Sequence, residues 1–530
     1  MIADLRSGAA PAEISGDVCV VGTGPAGITL ALELARKGKT VVLLEGGGPI
    51  YEEESQDLYR GAVTGHDHID VANSRLRQFG GTSGHWTGLC APLDPLDFEK
   101  RADMPTHGWP VTREELNPFY ARAQDYLDLG PFKYELADWS AVLPHKALPL
   151  DPAKVFTDVY QESPPTRFAE KFYDRIANEP RIQCWMHASL TDVTLQDGSD
   201  VVRSITARTL DGRQTTVKAK TYVIACGGLE NARILLNCRK QRPAGLGNER
   251  DLVGRYYTDH MTIETTTVMF NEGVDTSLYA TDMEAAGTKL LIGLKLNPDL
   301  IKSMGLNNNS AFLVPQYDKE VYNDDFRDYG WIAFSTMLKT FSRGHVPDRF
   351  AERYCDMTDD LGQVATGVYR HAVRSFMPPV QPARVYKLRQ DAEQSPNPDS
   401  RVTLITDKDP LGLNRIALDW RVTSDDLLKL RRTHQVIGAA IGAAGLGRMR
   451  LGIGEKPDLE LAYSAYHHMG TTRMHDDPKQ GVVDRDCRVH SVANLYMAGS
   501  STFTTGGCAN PTLTVVTLAI RLAEHLAVAA

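Results

Sequence analysis

Asp17-Val-Cys-Val-Val-Gly22-Thr-Gly24-Pro25-Ala26-Gly27 is the stretch on which the fold turns. Val18 to Val21 read as a short buried strand, and Gly22-x-Gly24-x-x-Gly27 follows it as a tight turn. Ile28, Ala31, Leu32 and Ala35 then recur at helical spacing, Gly38 ends that helix, and Thr40-Val-Val-Leu-Leu-Glu45 is the next buried strand. In this strand–turn–helix–strand setting, glycines let backbone approach a pyrophosphate and let helix pack closely on strand. Glu45, about 20 residues beyond the turn, stands where an acid accepts hydrogen bonds from a ribose. The context predicts a Rossmann-like dinucleotide-binding unit, with Gly22, Gly24, Pro25, Ala26, Gly27 and Glu45 at the cofactor.

A second strand–loop–helix lies at the far end of the chain. Leu495 to Ala498 read as a strand, Gly499 turns it, and a glycine-bearing loop leads to a helix. Asn510 falls at the N-cap position and Pro511 at the first helical position, where a missing N–H costs nothing. A helix begun this way aims free backbone N–H groups and partial positive charge forward, which suits a group that turns anionic during turnover.

The segment between these ends changes character twice. Arg75 to Gly88 is loop-rich, and its adjacent Gly80 and Gly81 allow close approach to a flat ligand. Thr112 with Glu115 is a capping box opening a helix over Arg113 to Tyr126. Prolines recur from Leu143 to Pro165, which reads as a long loop, a lid or pocket wall. Strand-like alternation returns at Arg181 to Val193, and Thr221 to Ala225 is a buried strand ending on Gly227-Gly228 before a helix from Glu230.

Between about residues 262 and 455, period-2 alternation and turn signals predict an antiparallel sheet with helices on it. The expected strands are Thr262 to Phe270, Leu290 to Leu296, Trp331 to Leu338, Arg384 to Leu388, Arg401 to Ile405 and Ile416 to Val422. The nucleotide-binding pieces at both ends must then meet around this block. The expected fold is α/β: a discontinuous Rossmann-like domain (residues 1–110, 181–261 and 456–530) plus a substrate domain on an antiparallel sheet (111–180 and 262–455).

The chain has 530 residues and a formal net charge of −9, with no basic clusters, which argues against nucleic acid or an anionic membrane as partner. The first residues lack a basic stretch followed by an apolar run, and the weakly polar run from Val436 to Gly447 is too short to span a bilayer. A cytoplasmic location without a membrane span is the expectation. Eight scattered cysteines without a CxxC pair support neither a zinc site nor an iron–sulfur cluster, so reduced thiols and no metal are expected.

Taken in order, the fingerprint with Glu45, Gly80-Gly81, Ala225-Cys-Gly-Gly-Leu-Glu-Asn-Ala-Arg, Tyr466-His467-His468-Met-Gly470-Thr471 and Asn510-Pro511 resemble the glucose–methanol–choline (GMC) flavoprotein oxidoreductases over nearly the whole chain. The likeness looks closest to the branch containing pyranose oxidase and glucoside 3-dehydrogenases. It implies FAD as cofactor, His467 as the general base and Asn510 as its partner. Those residue types suit the chemistry: a neutral imidazole accepts a hydroxyl proton near working pH, whereas a carboxamide donates hydrogen bonds but is no base. His468 is the competing histidine; on an extended segment adjacent side chains point oppositely, so only one of the two is expected at the flavin.

The resemblance further implies cofactor contacts from Thr82, His85, Trp86, Thr87, Ala188, Val193, Ala225, Cys226, Gly227, Asn231, Gly499, Ser500, Asn510, Pro511 and Thr512. A histidyl bond to the flavin at His85 is one option: the His-Trp pair matches pyranose oxidases, but Gly84 replaces their Thr. Hydrogen bonding or stacking is the other. Many members carry Asp where this chain has Ala498, leaving Ser500 or Ser501 to supply that contact. The implied reaction is oxidation of a secondary alcohol, a ring hydroxyl of a sugar or glycoside, with oxygen, a quinone or a redox protein as electron acceptor. A non-sugar alcohol, or a non-redox FAD-binding lyase, is the alternative. Leu143 to Pro165, Asn307 to Asn309 and Phe341 to Phe350 are the candidate pocket walls.

Overall fold

The computed structural model describes residues 1–8, 11–102, 104, 106, 108–279, 283–316, 333–335, 337, 338, 341, 350–359, 361–369 and 384–529. Strand Glu13–Val21 and strand Val41–Leu44 pair in parallel, with helix Pro25–Arg36 between them. Around this unit, eight strands form one sheet among the described residues. Its order runs Ile2–Asp4, Ile182–Met186, Val41–Leu44, Glu13–Val21, Gln214–Ile224, Val202–Arg208, Ser189–Leu195, and the C-terminal strand Leu495–Met497 also joins Gln214–Ile224. Val18, Val20, Val42, Leu43 and Leu44 are fully buried, as expected where helices cover both faces of parallel strands.

Among the described residues, nine strands form a second sheet that is antiparallel throughout. Strands Met261–Phe270, Val385–Ala392, Ser310–Pro315, Thr288–Leu296 and Val155–Glu162 follow one another across its centre. Its inward side chains, including Val155, Val159, Ile292, Leu294 and Leu388, pack with Ile437 and Ile441 of helix Ser424–Ala443 into a separate core. The expected strands Arg401 to Ile405 and Ile416 to Val422 do not join this sheet: among the described residues, Arg401–Lys408 and Asn414–Asp419 form a separate three-stranded sheet with Gly61–Val63. The α/β architecture with a discontinuous Rossmann-like part and an antiparallel part is therefore as expected. Among the described residues, no helix is long and apolar enough to cross a membrane.

Several expectations change. The stretch from Leu143 to Pro165 is not one long loop: Val155–Glu162 is a strand paired along its length with Thr288–Leu296. Its prolines stand on either side of those eight residues, so the ladder loses no donor. Segment 111–180 also contributes helices. Helix Arg113–Tyr126, with the expected Thr112–Glu115 capping box, packs on the C-terminal helix Thr512–Ala529, and Phe168–Asn178 packs on the Gly81–Gly84 turn. The expected strand Trp331 to Leu338 is helical at its described residues 333–335, 337 and 338. A short apolar run of that kind fits either period. Of Phe341 to Phe350, all but the two end residues lie outside the described residues.

Candidate active site

A cavity of about 510 Å³ runs from the first βαβ turn to the start of the C-terminal helix. At its nucleotide end lie Gly22, Gly24, Pro25, Ala26 and Glu45. The glycines divide the labour. A Cβ on Gly27 would meet Gly22 O at 1.9 Å and one on Gly22 would meet Ala225 O at 2.6 Å, so these two allow strands and helix to touch. A Cβ on Gly24 or on Gly227 would meet nothing within 4 Å, and on Gly499 only Ala26 Cβ at 4.0 Å. Three glycines thus leave open space along one wall, the cradle a pyrophosphate and its ribityl chain require. The residues present fit FAD.

Glu45 is buried at the end of its strand. Its carboxylate accepts from Thr23 N at 3.1 Å, Thr23 Oγ1 at 2.5 Å and Gly47 N at 2.9 Å. Those bonds orient it into the cavity wall beside Arg77, whose guanidinium donates to Ser189 Oγ at 2.9 Å. Arg75, Arg77 and Ser189 all line the cavity and were not among the expected contacts. The two arginines are held by the Tyr59 ring and by buried Glu230. Only their shared place in an apolar-flanked loop signalled them, and a lone arginine there carries no cofactor pattern.

At the other end the expected pair meets. Asn510 Nδ2 lies 3.2 Å from His467 Nε2, and both residues line the cavity with Pro511 and Thr512 at the helix start. His467 N donates to Asp259 Oδ1 at 2.8 Å, which anchors the backbone of the histidine. Its Nδ1 lies 2.8 Å from Nδ1 of His260, and His260 Nε2 lies 2.9 Å from Gly507 O and 3.3 Å from Gly506 O. Burial, and next the His260 ring, push the His467 pKa down to about 4. His467 is therefore neutral at pH 7, as a base must be.

His468 also lines the cavity, so both histidines reach it. Their rings part there: the His467 ring meets His260 and Asn510, whereas the His468 ring packs beside His68 and Tyr257. The Nε2 of His468 is nevertheless buried without a hydrogen-bond partner, near His68 and Asp259. Ligand atoms of these three residues lie within 4.8 Å of one another. Asp259 Oδ2, however, already accepts from Ser464 Oγ at 2.6 Å and Tyr257 OH at 3.3 Å, which takes up both of its lone pairs.

The remaining expected contacts divide. Gly81, Thr82, His85, Trp86, Thr87, Ala188, Ala225, Cys226, Gly227, Gly499 and Ser500 line the cavity. Gly27, Gly80, Val193 and Asn231 do not. Gly80, at φ 87°, backs against Ala169, and Val193 is buried in its sheet. Asn231 is a clamp: its Oδ1 accepts from Cys226 N at 2.8 Å, and its Nδ2 donates to Ala498 O at 3.0 Å and Ser501 Oγ at 2.7 Å. Ser501 is thereby engaged in the protein, and Ser500 Oγ donates to His468 O at 2.7 Å. No residue from Leu143 to Pro165 or Asn307 to Asn309 lines the cavity; Asn307 and Asn308 bond to Glu393, Asp94 and Asp97 instead.

Comparison with known proteins adds the family. Residues 17–245 match the family model described as FAD dependent oxidoreductase, and residues 396–519 match GMC oxidoreductase. The chain thus carries an FAD dependent oxidoreductase domain followed by a GMC oxidoreductase C-terminal domain. The chain is 24% identical to 2-methyl-1,2-propanediol dehydrogenase of Mycolicibacterium austroafricanum, over 96% of this chain and 95% of that protein. It is 25% identical to paromamine 6'-oxidase of Streptomyces fradiae, over 96% and 91% of the two chains. Its fold resembles the crystal structure of pyridoxine 4-oxidase from Mesorbium loti, with a TM-score of 0.56, 16% identity and 96% and 98% coverage. It is an FAD-dependent oxidoreductase.

Proposed function

We propose that this FAD-dependent oxidoreductase oxidises a secondary alcohol, a ring hydroxyl of a sugar or glycoside at its 2- or 3-position. His467 removes the hydroxyl proton, and Asn510 holds the substrate oxygen. The observation that carries this reading is the 3.2 Å approach of Asn510 Nδ2 to His467 Nε2 at one end of the cofactor cavity. A hydroxyl seated against both would donate to the imidazole lone pair and accept from the carboxamide. Bound FAD supplies the acceptor for the hydride that leaves the carbinol carbon. The first turn of helix Thr512–Ala529 puts backbone N–H dipole next to that site and favours negative charge there.

Support for a sugar comes from the motif likeness and from the paromamine 6'-oxidase relative. A non-sugar diol is the second reading, supported by the 2-methyl-1,2-propanediol dehydrogenase relative. Anaerobic mixing with sugars, glycosides and short diols separates them: the class that bleaches flavin absorbance is the substrate. Failure of every sugar and glycoside would overturn the first reading. Admitting air afterwards tells an oxidase, which recovers its colour, from a dehydrogenase that needs a quinone or redox protein.

A further inference from the structure

The residue sharing a hydrogen bond with the candidate base is not part of any motif read from the chain. His260 precedes strand Met261–Phe270 and is fully buried. Its two ring nitrogens face different partners, and one of those partners has a fixed role. Gly507 O, 2.9 Å from His260 Nε2, is a carbonyl and can only accept, so Nε2 carries the hydrogen. In a neutral ring Nδ1 then holds the lone pair, and the hydrogen in the 2.8 Å Nδ1–Nδ1 contact belongs to His467. That leaves His467 Nε2 bare, facing Asn510, whose Nδ2 can only donate. Every group in the row Gly507–His260–His467–Asn510 is satisfied in one proton arrangement.

We propose that His260 is a positioning residue that fixes the tautomer of His467, keeping its cavity-side nitrogen unprotonated and its ring turned toward the substrate hydroxyl. This rests on the reading of His467 as the base. Consecutive residues clamp the histidine, Asp259 at its backbone N–H and His260 at its ring, so its orientation is set before substrate arrives. When the substrate proton moves to Nε2, the resulting imidazolium keeps Nδ1–H bonded to His260 Nδ1. The proton stops on the pair, because His260 Nε2–H faces only backbone carbonyls.

The test uses holoenzyme with flavin bound and reads the rate of anaerobic flavin reduction against pH, with thermal stability measured alongside. His260→Asn offers an amide oxygen where Nδ1 stood and retains the rate within a few-fold. His260→Ala leaves both tautomers open and slows reduction by at least roughly 10-fold, short of the roughly 10²–10⁴ lost with the base itself. His260→Asp holds the same tautomer but adds a negative charge, so the acid limb of the profile moves up by about 1–3 pH units. The other charged or titratable groups facing His467, namely Asp259, Asp391, Arg389 and His468, are the same in all three variants. Equal rates in the Ala and Asn variants, or an Asp variant whose acid limb stays in place, would overturn the proposal and leave His260 as packing. His467→Ala is the control: full reduction in that variant would sink the underlying reading of the base rather than the role of His260.

Discussion

At the scale of single residues, the meeting of His467 and Asn510 at the cavity was legible in the ordered motifs. His260 was not. A lone histidine at the head of an apolar strand carries no pattern, and only its contact with His467 gives it meaning. His467→Ala should slow flavin reduction roughly 10²–10⁴-fold while leaving the flavin bound. Asn510→Ala removes one donor to the substrate oxygen and should cost roughly 10²–10³-fold. Either variant reducing its flavin at the wild-type rate would refute that residue's part. Because the His467 pKa is lowered to about 4, the imidazole is protonated only below that value. The reduction rate should therefore stay level from pH 8 to pH 6 and fall as pH drops toward about 4. For His85, contact without a bond is expected: acid precipitation should leave a colourless pellet, and a yellow one would establish the link.

Among the elements, the βαβ turn allows a sharp comparison. Gly27→Ala drives a methyl into Gly22 O, so it should lower the stability of the protein itself, with flavin loss as a consequence. Gly24→Ala places its methyl in open cavity, so the apoprotein should unfold as wild type does while flavin affinity drops by more than about 10-fold. Denaturant unfolding of the two apoproteins and flavin titration separate the effects; identical behaviour of the two variants would refute the division. Elements with an uninterrupted period were readable: the strands around the fingerprint, helix Arg113–Tyr126, and strands Met261–Phe270, Thr288–Leu296 and Val385–Ala392 of the antiparallel sheet. Val155–Glu162 was missed because flanking prolines dominate the local composition, although they leave the strand's own N–H groups intact.

For the whole molecule, the parts are tied by buried charge as well as by two apolar cores. Arg233 of helix Glu230–Asn237 donates to Glu230 at 2.8 Å, to Asn414 O at 3.0 Å and to Asp409 of the hairpin beside it. Arg233→Leu strands Asp409 in the interior, while Glu230 keeps Arg75 and Arg77, and should destabilise the enzyme by about 3–5 kcal/mol, read from the denaturant midpoint followed by flavin fluorescence. An unchanged midpoint would refute a structural part for this ion pair. Buried neutral histidines give the molecule an acid weakness as well. His434 is pushed down to about 3 by burial and His467 to about 4, from an ordinary 6.5. As pH falls below 6.5 the unfolded chain takes up protons that the folded one refuses, so stability should decline steadily between about 6.5 and 4.

The strand Leu495–Met497 lies in register beside Tyr222–Ile224, and the helix after it closes the cavity begun at Gly22. A nascent polypeptide therefore carries its fingerprint turn out of the ribosome long before residues 495–512 exist to complete the pocket. A chain cut short anywhere upstream of it would keep the turn at Gly22 but lack the wall that Gly499, Ser500, Asn510, Pro511 and Thr512 give the cavity.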